Sequence, residues 1–122
     1  MAENSAFEAI TTRQAWYAAE ALNKYDAVEF GTGGRFVKAT GSAPFAGIVE
    51  YGCDEAEQMV TVVRGAFPGV AAATVAAGDQ VEVTEGKFQK KSGGTAVGIA
   101  LTPADSEGDL FTVQILETPA KA

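Results

Sequence analysis

Apolar and polar residues alternate in short runs along most of the chain. Val28, Phe30 and Phe36 are separated by polar neighbours in the first half, and Val81, Val83 and Phe88 in the second. A period of two puts apolar side chains on one face of a strand and polar ones on the other. Turn residues interrupt the runs. Thr32-Gly33-Gly34 and the shorter Thr84-Glu85-Gly86 carry the glycines that a hairpin uses for positive φ. Thr40-Gly41-Ser42 and Ser92-Gly93-Gly94-Thr95 are further turn signals. Strand signals therefore recur at roughly 8–12 residues, the spacing of a sandwich or barrel rather than of βαβ units. The pattern predicts a small all-β domain, barrel-like or sandwich-like.

The alternation is written twice. Asp26-Ala27-Val28-Glu29-Phe30 matches Asp79-Gln80-Val81-Glu82-Val83, and Gly34-Arg35-Phe36-Val37-Lys38 matches Gly86-Lys87-Phe88-Gln89-Lys90. Gly47-Ile48-Val49 then matches Gly98-Ile99-Ala100. An acidic turn follows in each copy, Asp54-Glu55-Ala56-Glu57 against Asp105-Ser106-Glu107-Gly108-Asp109, and each copy closes on a strand, Val60-Thr61-Val62-Val63 against Thr112-Val113-Gln114-Ile115. The offset drifts only from 53 to 51 residues, which small loop changes explain. Matches in one unbroken order indicate two fused half-repeats, at about 24–67 and 77–117. Each has about four short strands, too few to bury an apolar face alone. The copies are therefore expected to share one core across a pseudo-two-fold axis.

Two stretches fall outside this reading. Residues 1–23 read as an N-terminal arm ahead of a β domain over 24–122. Within the arm, Thr11-Thr12-Arg13-Gln14 has the form of a capping box, and Ala15, Ala18, Ala19 and Leu22 share a helical stripe. Both a short helix over 13–23 and an extended arm are open. The second stretch, Pro68 to Gly78, is alanine-rich and permits a helical turn between the copies.

Composition narrows the chemistry. The 122 residues suit one domain, and 47% hydrophobic with 20% charged residues is an ordinary globular balance. Sixteen acids against nine bases give −7, spread evenly along the chain, so nucleic acid and anionic membranes are not expected as partners. No apolar run reaches the ~20 residues of a membrane helix, and Met1 to Ser5 show no basic segment of a secretory signal. With no histidine, imidazole-based triads, switches and metal sites are excluded. Cys53 is the single cysteine and lies beside Asp54 and Glu55, which disfavour a thiolate nucleophile. Asp105, Glu107 and Asp109 alternate but lack the further oxygens of a calcium loop, and read as a solvated turn. Gly31-Thr32-Gly33-Gly34 lacks the helix and Lys-Ser/Thr of a phosphate loop, and reads as a hairpin. Lys90-Lys91 lies near a turn, as in swinging-arm carrier domains, but Gln89 and Ser92 replace the usual flanks. No catalytic residue, metal or cofactor is assigned. Phe7, Ile10, Trp16 and Tyr17 remain. They either pack on their own core or bind another chain, since Trp and Tyr bury much area with few rotors.

From about Lys24 to Glu117 the chain resembles the capsid cement, or decoration, proteins of tailed bacteriophages. The resemblance is carried by Val63-Arg64-Gly65-Ala66-Phe67, Ala77-Gly78-Asp79-Gln80-Val81, Gly98-Ile99-Ala100-Leu101 and Gly108-Asp109-Leu110-Phe111-Thr112-Val113-Gln114-Ile115. It implies a β-tulip type domain with an N-terminal arm and no enzyme activity. It also implies a homotrimer at three-fold or quasi-three-fold sites on the outside of the expanded head. The partner would be the major capsid protein, gripped through Phe7, Ile10, Trp16 and Tyr17. The alternative reading is a non-enzymatic module that binds carbohydrate or another protein.

Overall fold

A computed structural model describes residues 7–116. They form the strands β1 (Ala9–Tyr17), β2 (Ala27–Phe30), β3 (Phe36–Lys38), β4 (Phe45–Tyr51), β5 (Met59–Val70), β6 (Gln80–Thr84), β7 (Lys87–Lys90), β8 (Gly98–Ala100) and β9 (Leu110–Ile115). Every strand pairing is antiparallel, in the order β3-β2-β4-β5-β9-β8-β6-β7, with β1 added on β5. The order is palindromic: β3-β2-β4-β5 of the first half is repeated outward as β7-β6-β8-β9 of the second. Registers agree as well. Ala27 faces Ile48 and Val28 faces Gly47, while Gln80 faces Ile99 and Val81 faces Gly98.

The duplication reaches further back than the sequence alignment. Tyr17 faces Met59 in β1–β5 just as Val70 faces Leu110 in β5–β9, which sets Val60 to Val63 against residues 111–114, one residue earlier than the sequence match with Thr112 to Ile115. Leu22 bridges Cys53 as Val75 bridges Ala104. Asp26 Oδ2 accepts the Asn23 N–H at 2.8 Å, and Asp79 Oδ2 accepts the Ala76 N–H at 2.9 Å. Residues 13–25, read from the sequence as lying outside the repeat, are thus the counterpart of 66–78, and Ala18-Ala19 corresponds to Ala71-Ala72. The helical alternatives for 13–23 and for the alanine-rich link are both corrected. Residues 13–17 lie in β1, the link begins inside β5, and both continue into turns. The alanines are small because they are buried beneath strands: Ala18 and Ala71 are fully enclosed. An isolated helix of this length is marginal, so strand pairing overrides the local propensity.

One long strand serves both repeats. The first part of β5 pairs with β1 and β4, and the second part with β9. The change falls at Gly65, with φ +102°, where a Cβ would lie 2.5 Å from the Ala9 carbonyl oxygen. The register of β1 shifts at the same place, between Ile10 and Thr12. A side chain at residue 65 would force both strands apart.

The core divides into two clusters. One belongs wholly to the first repeat and contains Ala18, Leu22, Val28, Phe36, Val49, Val60 and Val62. The other holds the matching residues of the second repeat, including Ala71, Val75, Val81, Phe88, Phe111 and Val113, and recruits Ala27, Ala39, Ile48 and Val63 from the first. Sharing is therefore one-sided. The turn at Gly86 accounts for it: its N–H donates to the Ala39 carbonyl and its carbonyl accepts from the Ala27 N–H, at 2.9 and 2.8 Å. The second repeat's hairpin tip thereby closes on the first repeat, and the sheet curls into a half-barrel.

Candidate functional site

β1 is the least covered element. Eight of its residues are in register with β5, and among the described residues no strand pairs with its other edge. It is held in place from one side. Arg13 Nε donates to Glu50 Oε1 at 2.8 Å and its Nη2 to Glu50 Oε2 at 3.2 Å, a two-pronged pair across β5. That hydrogen bond, together with the charge of Glu50, raises the Arg13 pKa above its ordinary value. The pair also neutralises Glu50, which is 7% exposed. At the other end of β1, the Phe7 N–H donates to Thr112 Oγ1 at 2.7 Å.

The four sequence candidates separate on this scaffold. Ile10 is half-buried and packs on the second core cluster. Phe7, Trp16 and Tyr17 are exposed, with the Trp16 and Tyr17 rings edge-on at 5.3 Å. The register adds two residues that sequence reasoning missed. Tyr17 faces Met59, and Thr61 faces both Ala15 and Tyr51, so Tyr17, Met59 and Tyr51 share one face. Met59 and Tyr51 are 52% and 64% exposed. Met59 has a structural counterpart in the second repeat. Its counterpart Leu110 also follows an acidic turn and is also exposed. An apolar patch rimmed by polar residues marks a contact surface.

The other candidates resolve into structure. Cys53 Sγ contacts the Glu20 carbonyl at 3.5 Å in a half-buried site whose counterpart is Ala104. Asp109 Oδ2 accepts from the Ser106 N–H within the acidic turn, and Glu107 pairs with Lys87 of β7 at 3.5 Å. Lys90 pairs with Val81 inside β7, away from the hairpin tip at Glu85-Gly86. Among the described residues no three metal-ligating side chains converge.

Two buried carboxylates do structural work at matching positions. Glu29 accepts the N–H groups of Thr40 and Gly41, at 3.0 and 3.1 Å. Glu82 accepts the N–H groups of Ser92 and Gly94, at 3.2 and 2.7 Å, and the Gln89 side-chain amide at 2.6 Å. The Gln89 amide and then these backbone N–H groups hold the Glu82 carboxyl down to about 2, below the usual 4.5 and against the cost of burial. The folded state thus binds the proton more weakly than the unfolded chain. The resulting stability is complete above pH ~4.5 and is lost as pH falls towards 2. Glu82→Ala should cost about 2–3 kcal/mol at pH 7 by unpairing several donors. In urea titrations, the gap between wild type and variant should be constant above pH ~5 and narrow below pH 4.5.

A family model described as phage cement protein matches residues 8–115. The chain belongs to the phage cement protein family. The cement protein also resembles the crystal structure of the head fiber gp8.5 N base in bacteriophage phi29. The TM-score is 0.71 at 16% identity, over 91% of this chain and 100% of that one, a likeness of fold. No curated protein matches the chain. Family membership makes this cement protein a capsid-associated structural component of the virion, on the outer surface of the head.

Proposed function

We propose that this cement protein attaches through β1 to the major capsid protein on the expanded head and holds the shell against the pressure of the packaged genome. The observation that supports this most is the uncovered edge of β1, with Trp16 and Tyr17 exposed at its end, Met59 and Tyr51 beside Tyr17, and Phe7 exposed just ahead of the strand. Buried aromatic anchors dominate interface energy, and Ile10 and the Arg13–Glu50 pair fix the strand that presents them. The role is mechanical, and no catalysis is assigned. A ligand that binds only the expanded lattice stabilises that lattice by mass action. Three copies arranged as a homotrimer on a three-fold or quasi-three-fold site would gain avidity from modest individual contacts. A net charge of −7 suits a position outside the DNA-filled space.

The test is co-sedimentation of the purified chain with expanded and unexpanded heads of its phage, followed by imaging of the added density. Binding to expanded heads alone, with density at three-fold positions and a higher temperature of genome release, is expected. Equal binding to both forms, or absence of the chain from purified virions, overturns the reading.

A further inference from the structure

The curled sheet brings a loop of the first repeat, Thr40 to Phe45, against β6, β7 and the 94–97 segment of the second. A cavity of about 460 Å³ lies between them. This is within the size range of small-ligand pockets. Phe45 and Val83 form apolar walls, and Glu82, Gln89, Thr84 and Thr95 supply polar groups. The site lies among residues that take no part in the β1 surface.

The duplication provides an internal comparison. Strand register equates Glu29, Phe30 and Val37 with Glu82, Val83 and Gln89. The carboxylate clamp is present in both copies. The flanking pair differs: the first repeat has two apolar residues, Phe30 and Val37, and the second has a smaller one and an amide. The Glu29 clamp borders the same cavity from the other side, through Thr40 and Gly41. The second repeat thus has the smaller Val83 at the position of Phe30, and an amide on the cavity wall at the position of Val37. Gln89 is half-buried, and its amide lies between the Glu82 carboxylate and the cavity.

Glu82 also orients the amide. Gln89 Nε2 donates one hydrogen to Glu82 Oε2 at 2.6 Å, which leaves its second N–H and its carbonyl as an adjacent donor and acceptor. The Thr84 and Thr95 hydroxyls add groups that both donate and accept. The carboxylate disfavours an anionic ligand, and its compensation by backbone N–H groups removes the need for a cationic one. An amphipathic pocket with paired donors and acceptors and an aromatic wall matches a ring that is apolar on its faces and hydroxylated around its edge.

We propose that this cavity binds a neutral saccharide ring, with Gln89, Thr84 and Thr95 reading its hydroxyls and Phe45 packing on its face. The activity is separate from capsid attachment. An exposed decoration could thereby give the particle a weak affinity for glycan-coated surfaces, strengthened by many copies.

The test uses the full chain and a panel of methyl glucoside, methyl galactoside, N-acetylglucosamine and glucuronate, followed by NMR. At least one neutral sugar should shift the Gln89 side-chain amide and the Thr84 and Thr95 signals with millimolar affinity, and glucuronate should bind at least ten-fold more weakly. Val83→Phe with Gln89→Val rebuilds the first repeat's wall and should reduce binding at least ten-fold while head attachment is unchanged. Thr95→Ala, at an exposed position, is the milder second variant and should weaken binding about three-fold. The proposal is overturned if no neutral sugar shifts these signals at tens of millimolar. It is equally overturned if the shifts map to Trp16 and Tyr17, or if both variants bind as well as wild type.

Discussion

A Trp16→Ala/Tyr17→Ala double variant should lose two to three orders of magnitude in affinity for expanded heads and still fold. Both side chains are exposed, at 47% and 40%, so truncation removes little buried surface. The expected cost to stability is within about 1 kcal/mol each. At an interface the same groups act as anchors, and removing a central aromatic typically costs about 2 kcal/mol or more, roughly thirty-fold. Deleting residues 1–22 is a poorer experiment. It would also remove Ala18 and Leu22, which are buried in the first core cluster, and the strand that covers one edge of β5. Its failure to bind would report unfolding as readily as lost contact. The point variants separate the two effects when sedimentation with heads is read beside thermal melting. Wild-type affinity in the folded double variant would place the capsid contact elsewhere.

The largest loss of stability should come from Phe88→Ala, about 3–5 kcal/mol. Phe88 is fully buried and stands edge-on to both Phe45 and Phe111, each 6.1 Å away between ring centroids. Gly69 lies directly against it, since a Cβ there would approach the ring to 2.5 Å. The missing side chain at residue 69 is the space the ring occupies. The surrounding strands are tied to one another by ladder hydrogen bonds and cannot collapse into the void, which places the cost towards the upper end of the range. For a domain whose total stability is about 5–15 kcal/mol, the melting temperature should fall by on the order of 15 °C. Denaturant titration should show a lower midpoint with an unchanged slope. A midpoint within the error of wild type would mean that the ring is not packed as described.

Much of this architecture was legible because side-chain alternation is a local property. Val28, Phe30 and Phe36 and their partners Val81, Val83 and Phe88 announced strands, and the Thr32-Gly33-Gly34 and Thr84-Glu85-Gly86 turns announced hairpins. The repeat was readable wherever like faced like. It was lost over 13–25 because Ala15-Trp16-Tyr17-Ala18-Ala19 and Pro68-Gly69-Val70-Ala71-Ala72 share little beyond their alanines. Buried alanine in a tightly curled β sheet has the same composition as a helix-forming stripe. The exposed candidates were partly legible. Large aromatics in an otherwise polar segment stood out, but Ile10, half-buried on the core, could not be told from Phe7, and Tyr51 and Met59 looked like ordinary strand residues.

Composition and periodicity by themselves determined an all-β, internally duplicated chain without imidazole chemistry, because those properties belong to single residues and their nearest neighbours. Only the tertiary structure decided that β5 serves both repeats, that the tip at Gly86 closes the sheet on one side, and that β1 keeps a free edge. Each depends on which strand lies beside which. Hydrogen-bond partners far apart in the chain make that choice, and no local pattern encodes them.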